Sequence, residues 1–148
     1  MTQKRGLKHV LHQHSLSLAT LGVVLLLIAL YVRSNPNTHL GSFCGNAIAD
    51  WTGVLVTVVM TKHLYEKGSK DSKQPKGILP SKVMELLREH SLTLFLLVTG
   101  GAWVVAFKAM DPGGKWGQVV GNIVSEWTQI LGLVLLTKRL MEVGSKAS

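Results

Sequence analysis

The chain has 148 residues, of which 47% are hydrophobic, and it carries a formal net charge of +8. A soluble domain with this charge would suggest nucleic-acid binding, but the apolar residues here occur in four blocks and most positive residues lie outside them. Nucleic-acid binding is therefore not predicted, because the membrane topology accounts for the basic residues and leaves no basic and aromatic face. The single cysteine, Cys44, excludes an intrachain disulfide.

The four apolar blocks have the length of membrane-spanning helices. An α-helix crosses the hydrocarbon core of a bilayer with about 20 residues. The blocks predict spans at about 15–33, 41–63, 90–108 and 116–139. The first block follows a positively charged start, as in a signal peptide, but it lacks a small-residue cleavage pattern and is predicted to be retained. We therefore predict an all-α integral membrane protein with four transmembrane helices.

Lysine and arginine are distributed unequally between the connections. They are concentrated before the first span, between the second and third spans, and after the fourth span, which all lie on one side of the membrane. The other two connections hold only Arg33, Lys108 and Lys115. By the positive-inside rule, this asymmetry predicts that both termini are cytoplasmic.

The second half of the chain repeats the first at an offset of 76 residues. His14 and Ser15 match His90 and Ser91, and matching residues later in the two halves include Pro36 and Pro112, Trp51 and Trp127, and Lys62 and Lys138. We predict a first helical-hairpin repeat at 1–70, a cytoplasmic linker at 71–80 and a second repeat at 81–148. Because each copy contains two spans, the copies are expected to be parallel and related by an axis along the membrane normal.

Polar residues recur at three- and four-residue steps on the second and fourth spans, which places them on one stripe of each helix. The candidate ion- or proton-binding residues are Asn46, Asp50, Thr57, Asn122, Glu126 and Gln129. Beside each stripe runs a ridge of small residues whose spacing allows close helix packing. The ridge consists of Gly41, Gly45, Ala49, Gly53, Gly117, Gly121 and Ser125. We predict that these two spans face each other inside the bundle, with the first and third spans toward lipid.

Asp50 and Glu126 are predicted to lie about 16 to 18 Å inside the membrane boundary, near the midplane. An ionisable group at this depth is costly and is a functional-site candidate. The two carboxyl groups are expected to share a proton or to be largely neutral, with Asn46 and Asn122 one turn away as hydrogen-bond partners. Three interpretations stay open: an interhelical clasp, an ion or proton path, and a ligand or lipid site.

His14 and His90 form a second repeated pair, at the ends of the first and third spans. Two facing imidazoles can ligate haem or a metal, which makes these residues weak metal candidates. Histidines at membrane interfaces are more often not ligands, so no cofactor or metal is predicted. The chain contains no phosphate-binding loop or nucleophile elbow, so an enzyme is not predicted either.

Three segments carry a resemblance to a known family: residues 87–92, residues 125–127 and residues 61–73. In these segments the chain resembles an uncharacterised family of small bacterial inner-membrane proteins that pair a Trp/Glu-containing span with a KGS-x-x-SK exit. The resemblance implies a multi-pass topology in the plasma (inner) membrane of a bacterium.

Two functions are compatible with the sequence. The first is an oligomeric cation or proton channel or transporter that uses the paired intramembrane carboxylates. The second is a non-catalytic accessory or assembly subunit of a membrane complex, with the carboxylates as interhelical hydrogen-bond clasps. The expected partners are the lipid bilayer and either further copies of the chain or other membrane subunits.

Overall fold

The structure is a computed structural model that describes residues 2–68, 74–140 and 143, with the backbone alone for residues 2–5 and 7. The described residues contain helices and no strand. The helices are α1 (Thr2–Gln13), α2 (Ser15–Arg33), α3 (His39–His63), α4 (Lys82–Glu89), α5 (Ser91–Ala109) and α6 (Lys115–Leu136). Helices α2, α3, α5 and α6 are long and apolar enough to cross a membrane. The prediction of an all-α chain with four such helices is confirmed.

The short helices α1 and α4 each precede a long helix and are separated from it by one histidine. His14 has φ −112° and ψ 14°, and His90 has φ −120° and ψ 18°, so the chain bends in nearly the same way at both residues. Helix α6 ends three residues before the predicted end of its span, and residues 137–139 form a turn. Residues 71–73 of the predicted linker and the second Gly-Ser-Lys exit, at 144–146, lie outside the described residues.

Helices α3 and α6 occupy the centre of the bundle. Helix α3 packs against α2 and α6, and α6 also packs against α5, as expected for the second and fourth spans. The core includes Ile48 and Ala49 of α3 together with Ile123 and Trp127 of α6. Between residues 94 and 105 the outward-facing residues of α5 are apolar, with Val98 72% exposed, as a lipid-facing surface requires.

The ridge of small residues packs mainly within each hairpin. Gly45 lies against the ring of Tyr31 on α2, and Gly121 lies against the ring of Phe107 on α5. A Cβ atom at these glycines would be 3.1 Å from Tyr31 Cε2 and 2.9 Å from Phe107 Cε2. The spacing therefore does reflect close packing, but the neighbours at these two positions are aromatic rings of α2 and α5 rather than a second glycine ridge.

The connection inside each hairpin is a turn built on an Asx-Pro pair. Asn35 Oδ1 accepts a hydrogen bond from the backbone N–H of Asn37, and Asp111 Oδ1 accepts one from that of Gly113, both at 3.0 Å. Each turn places a backbone carbonyl directly over the first turn of the following helix. A Cβ atom on Gly41 or Gly117 would overlap the carbonyl oxygen of the same Asx residue.

Helices α2 and α6 are joined at the end of the bundle that carries these turns. The Tyr31 hydroxyl donates a 2.5 Å hydrogen bond to the carbonyl oxygen of Lys115, and Trp116 packs edge-on against the Tyr31 ring at 5.2 Å. Lys115 Nζ donates to the carbonyl oxygen of Ser34 at 2.7 Å and lies 4.8 Å from the centre of the Tyr31 ring. These contacts hold the two hairpins together at one end.

Candidate functional site

A polar cleft of ≈ 340 Å³ lies between α3 and α6. It is lined by Asn46, Asp50, Asn122, Ser125, Glu126 and Gln129. Residues 46 and 50 are one turn apart on α3, beside the buried stripe that contains Gly45, Ile48 and Ala49. The polar stripe therefore lies at the edge of the core and opens to the outside of the bundle, where Asn46, Asp50, Ser125 and Gln129 are exposed.

The carboxyl groups of Asp50 and Glu126 are in hydrogen-bonding contact across the cleft. Two carboxyl groups can form a hydrogen bond only when one of them carries a proton. Gly53 makes the approach possible, because a Cβ atom there would be 2.9 Å from Glu126 Oε2. Asp50 and Glu126 each lie near the middle of their helices, about 15 to 20 Å from either end at 1.5 Å per residue.

The two asparagines bond to each other rather than to the carboxyl groups. Asn122 Nδ2 donates a 2.5 Å hydrogen bond to Asn46 Oδ1. The sequence predicted a bond from each asparagine to a carboxyl group one turn away on the same helix. The structure instead aligns the two helices so that equivalent positions, 76 residues apart, meet across the seam.

Thr57 does not line the polar cleft, although the sequence placed it on the same stripe. Its carbonyl oxygen accepts a hydrogen bond from the Thr61 hydroxyl at 2.5 Å, and the residue lines a smaller, mainly apolar cavity of ≈ 60 Å³. That cavity lies between α3, α5 and α6, with Leu92 and Val134 in its wall. Ser125, predicted as a packing residue, is exposed and lines the polar cleft instead.

Trp127, which follows Glu126, anchors α6 on α5. Its Nε1 donates a 2.7 Å hydrogen bond to Thr99 Oγ1, and its ring packs edge-on against Trp103 at 6.0 Å. Trp127 is 5% exposed, whereas the equivalent Trp51 is 38% exposed. The buried tryptophan fixes the rotation of α6 and so directs the neighbouring carboxyl group toward α3.

A buried acidic residue that the sequence analysis missed lies at the opposite end from the Asx-Pro turns. Residues 64–67, which follow α3, run beside the junction of α4 and α5: Leu92 N–H donates to Tyr65 O at 3.0 Å, and Lys67 N–H donates to Glu89 O at 2.7 Å. Glu66 is fully buried there, and its Oε1 accepts hydrogen bonds from His90 Nδ1 at 2.6 Å and from Lys138 Nζ. We call Glu66, His90 and Lys138 the acidic clasp.

The acidic clasp keeps Glu66 ionised. Burial by itself raises the pKa of Glu66, but hydrogen bonds from Lys138, Thr93 and His90 together outweigh burial and bring the pKa below its ordinary value. A glutamate also stands at the equivalent position in the second half, Glu142, which lies outside the described residues. The repeat of this glutamate in the two halves could have indicated the site from the sequence, but both positions lie outside the predicted membrane spans.

His14 and His90 have different surroundings. His14 is exposed, and His90 belongs to the acidic clasp. No group of three or more histidine, cysteine, aspartate or glutamate side chains that could hold a metal ion occurs within residues 2–68 and 74–140. Comparisons of the chain with protein-family models, with curated proteins and with solved structures found no match.

Proposed function

We propose that the protein is a channel or transporter of the bacterial inner membrane in which the polar cleft binds and relays a cation or a proton. The observation that carries this proposal is the contact between the Asp50 and Glu126 carboxyl groups, halfway along two helices that are apolar enough to cross a membrane. Paired acidic side chains at this depth are characteristic of ion and proton pathways.

The cleft provides oxygen atoms suited to both species. A proton shared by Asp50 and Glu126 can pass to water or to a neighbouring acceptor without leaving an isolated charge in hydrocarbon. Carboxylate and amide oxygens are also the ligands that hard cations prefer. Gln129 on α6 and the Asn46–Asn122 pair lie on either side of the carboxyl groups along the helix axis.

We also propose that the two hairpins arose by tandem duplication and that both termini are cytoplasmic. Matched contacts at the same offset support the duplication: Gly45 on Tyr31 matches Gly121 on Phe107, and the Asn35 turn matches the Asp111 turn. The concentration of lysine and arginine on one side of the spans supports the orientation.

Flux through purified proteoliposomes tests the transport proposal. Wild type is compared with Asp50→Asn, Glu126→Gln and the double variant, using a pH-sensitive dye for protons and a cation-sensitive dye for Na⁺ and K⁺. We expect flux from wild type and its loss in the double variant, because the amides cannot release a proton or carry the negative charge. Glu85→Gln is the matched control, since Glu85 lies on α4, outside the spans, and pairs with Arg88.

Absence of wild-type flux, or full flux from a correctly assembled double variant, would refute transport through the cleft.

The second candidate function, an accessory or assembly subunit, is favoured by the Asn46–Asn122 hydrogen bond, which joins α3 to α6 without needing a transported species. In that case wild type shows no flux, and the Asp50 and Glu126 variants lower the thermal unfolding midpoint in detergent.

A further inference from the structure

We propose that a second copy of this chain covers the polar cleft, so that the complete site is built by two copies facing each other across α3 and α6. This inference depends on the proposed function, because it assumes that the cleft lies within a membrane. It adds the identity of the partner and the way in which the partner completes the site.

The first argument is that the cleft contains polar groups that the single chain does not satisfy. Ser125 and Gln129 are exposed, and their side chains form no hydrogen bond with any residue that the structure describes. The Asn46–Asn122 bond uses one oxygen and one N–H, which leaves Asn46 Nδ2 and Asn122 Oδ1 without a bond to the described parts of the chain. Lipid tails offer no hydrogen bonds, so these groups need a polar cover within the bilayer.

The second argument is that the face of the cleft is complementary to itself. Asn46, Ser125 and Gln129 provide donors, whereas the carboxyl pair and Asn122 Oδ1 provide acceptors. In a twofold interface each contact occurs twice in reciprocal form, so a face that carries both donors and acceptors can satisfy its own hydrogen bonds. An apolar helix or a lipid would satisfy neither set, and a purely basic partner would leave the amide donors unsatisfied.

The third argument is that apolar residues continue the same helix faces beyond the polar groups. On α3, Phe43 lies three residues before Asn46 and Val54 lies four residues after Asp50. On α6, Leu133 lies four residues after Gln129. They are 64%, 45% and 47% exposed. The face therefore has a polar centre with large apolar residues at its margins, which can pack against the second copy.

Disulfide trapping in intact membranes tests this interface. The buried Cys44 is first replaced by alanine, and Ser125→Cys is then introduced as a probe in the lining of the cleft. Val98→Cys on α5 is the matched control, since it lies within a span and is 72% exposed on the outer surface of the bundle. After mild oxidation, we expect the Ser125→Cys chain to convert largely to a disulfide-linked dimer, with only traces from Val98→Cys.

The mass of the unmodified wild-type protein in nanodiscs provides a measurement that does not depend on the cysteine variants. We expect twice the chain mass of 16.1 kDa, or a higher even multiple. A wild-type monomer, equal or greater cross-linking at Val98, or cross-linking of Ser125→Cys only to a protein of a different mass would each overturn the inference.

Wild-type flux in proteoliposomes separates this inference from the proposed function. Cross-linking through Ser125→Cys together with no flux from wild type would refute transport and leave the interface in place. Flux from wild type in proteoliposomes, combined with a monomeric mass in nanodiscs, would retain transport and refute the second copy as the cover of the cleft.

Discussion

Gly53 affects the candidate site directly because glycine has no side chain. Its lack of a Cβ atom lets the Glu126 carboxyl group reach Asp50 on the neighbouring helix. We predict that Gly53→Ala reduces flux while the protein stays at least as stable as wild type. The new methyl group displaces a flexible carboxyl group, and alanine is favoured over glycine in a helix by up to about 1 kcal/mol.

The matched control for Gly53→Ala is Gly22→Ala on α2, where no atom lies within 4 Å of the new Cβ. Flux and thermal unfolding are measured for both variants in the same lipids. If Gly53→Ala conducts as well as Gly22→Ala, the close approach of the two carboxyl groups is not required for transport.

The sequence singled out Asp50 and Glu126 but did not predict the hydrogen bonds of the neighbouring asparagines. Asp50 and Glu126 stand out because each interrupts an apolar run at the same repeat position. The bond between Asn46 and Asn122 depends on the rotation of each helix about its axis, which is set by the Trp127–Thr99 hydrogen bond and by the packing of Gly45 on Tyr31. A polar stripe shows which residues share one face of a helix. It does not show how that face is oriented toward the neighbouring helix.

The Asx-Pro turns make the start of α3 and α6 intolerant of a side chain. We predict that Gly117→Ala destabilises the protein by about 1–3 kcal/mol, as overpacking of a filled site does. The new Cβ would overlap the backbone carbonyl oxygen of Asp111, which cannot rotate away as a side chain can. Thermal unfolding followed by circular dichroism checks this, with Gly132→Ala on the same helix as the control, since nothing lies within 4 Å of that position.

Equal unfolding midpoints for the two alanine variants would show that the turn does not lie against α6 as described. Gly41→Ala at the start of α3 is expected to behave like Gly117→Ala, because its Cβ would overlap the carbonyl oxygen of Asn35.

At the scale of elements, apolar length predicted the four long helices, whereas α1 gave no signal. Residues 2–13 are mostly polar or basic and carry no long apolar stripe. The small-residue ridge predicted close packing but not the neighbour, because a glycine can accommodate a facing backbone or an aromatic ring equally well. The neighbours of Gly45 and Gly121 are rings because Tyr31 and Phe107 lie opposite them. These aromatic residues belong to α2 and α5, whose sequences show little periodic pattern.

Over the whole molecule, the acidic clasp is expected to make stability depend on pH. The pKa of Glu66 is lowered in the folded protein relative to its ordinary value of 4.5, through hydrogen bonds that outweigh its burial. A carboxyl group with a lowered folded pKa contributes stability above its unfolded pKa and loses that contribution as the pH falls through the folded pKa. Wild type is therefore expected to lose stability as the pH falls below about 4.5.

We predict that Glu66→Gln lowers the free energy of unfolding at neutral pH by about 1–3 kcal/mol, since the buried hydrogen bonds from Lys138 and His90 lose their charged acceptor. The stability of the variant should also fall less than that of wild type when the pH is made acidic. Glu89→Gln is the control, because its ion pair with the largely exposed Lys67 is screened by water and is expected to contribute much less to stability. Equal effects of the two variants in unfolding titrations at neutral pH would contradict a special role for the buried clasp.

The pairing of equivalent positions across the α3–α6 seam has a consequence for the ancestry of the cleft. If the chain arose by duplication, its single-hairpin ancestor could have formed this seam only between two separate polypeptides. In that history, fusion would have turned a boundary between two subunits into the interior of one chain and allowed the sequences of its two sides to diverge. In the present chain an aspartate faces a glutamate across the cleft, and the residue that follows each acid differs in burial, Trp51 being exposed and Trp127 buried, so the two acids lie in different surroundings.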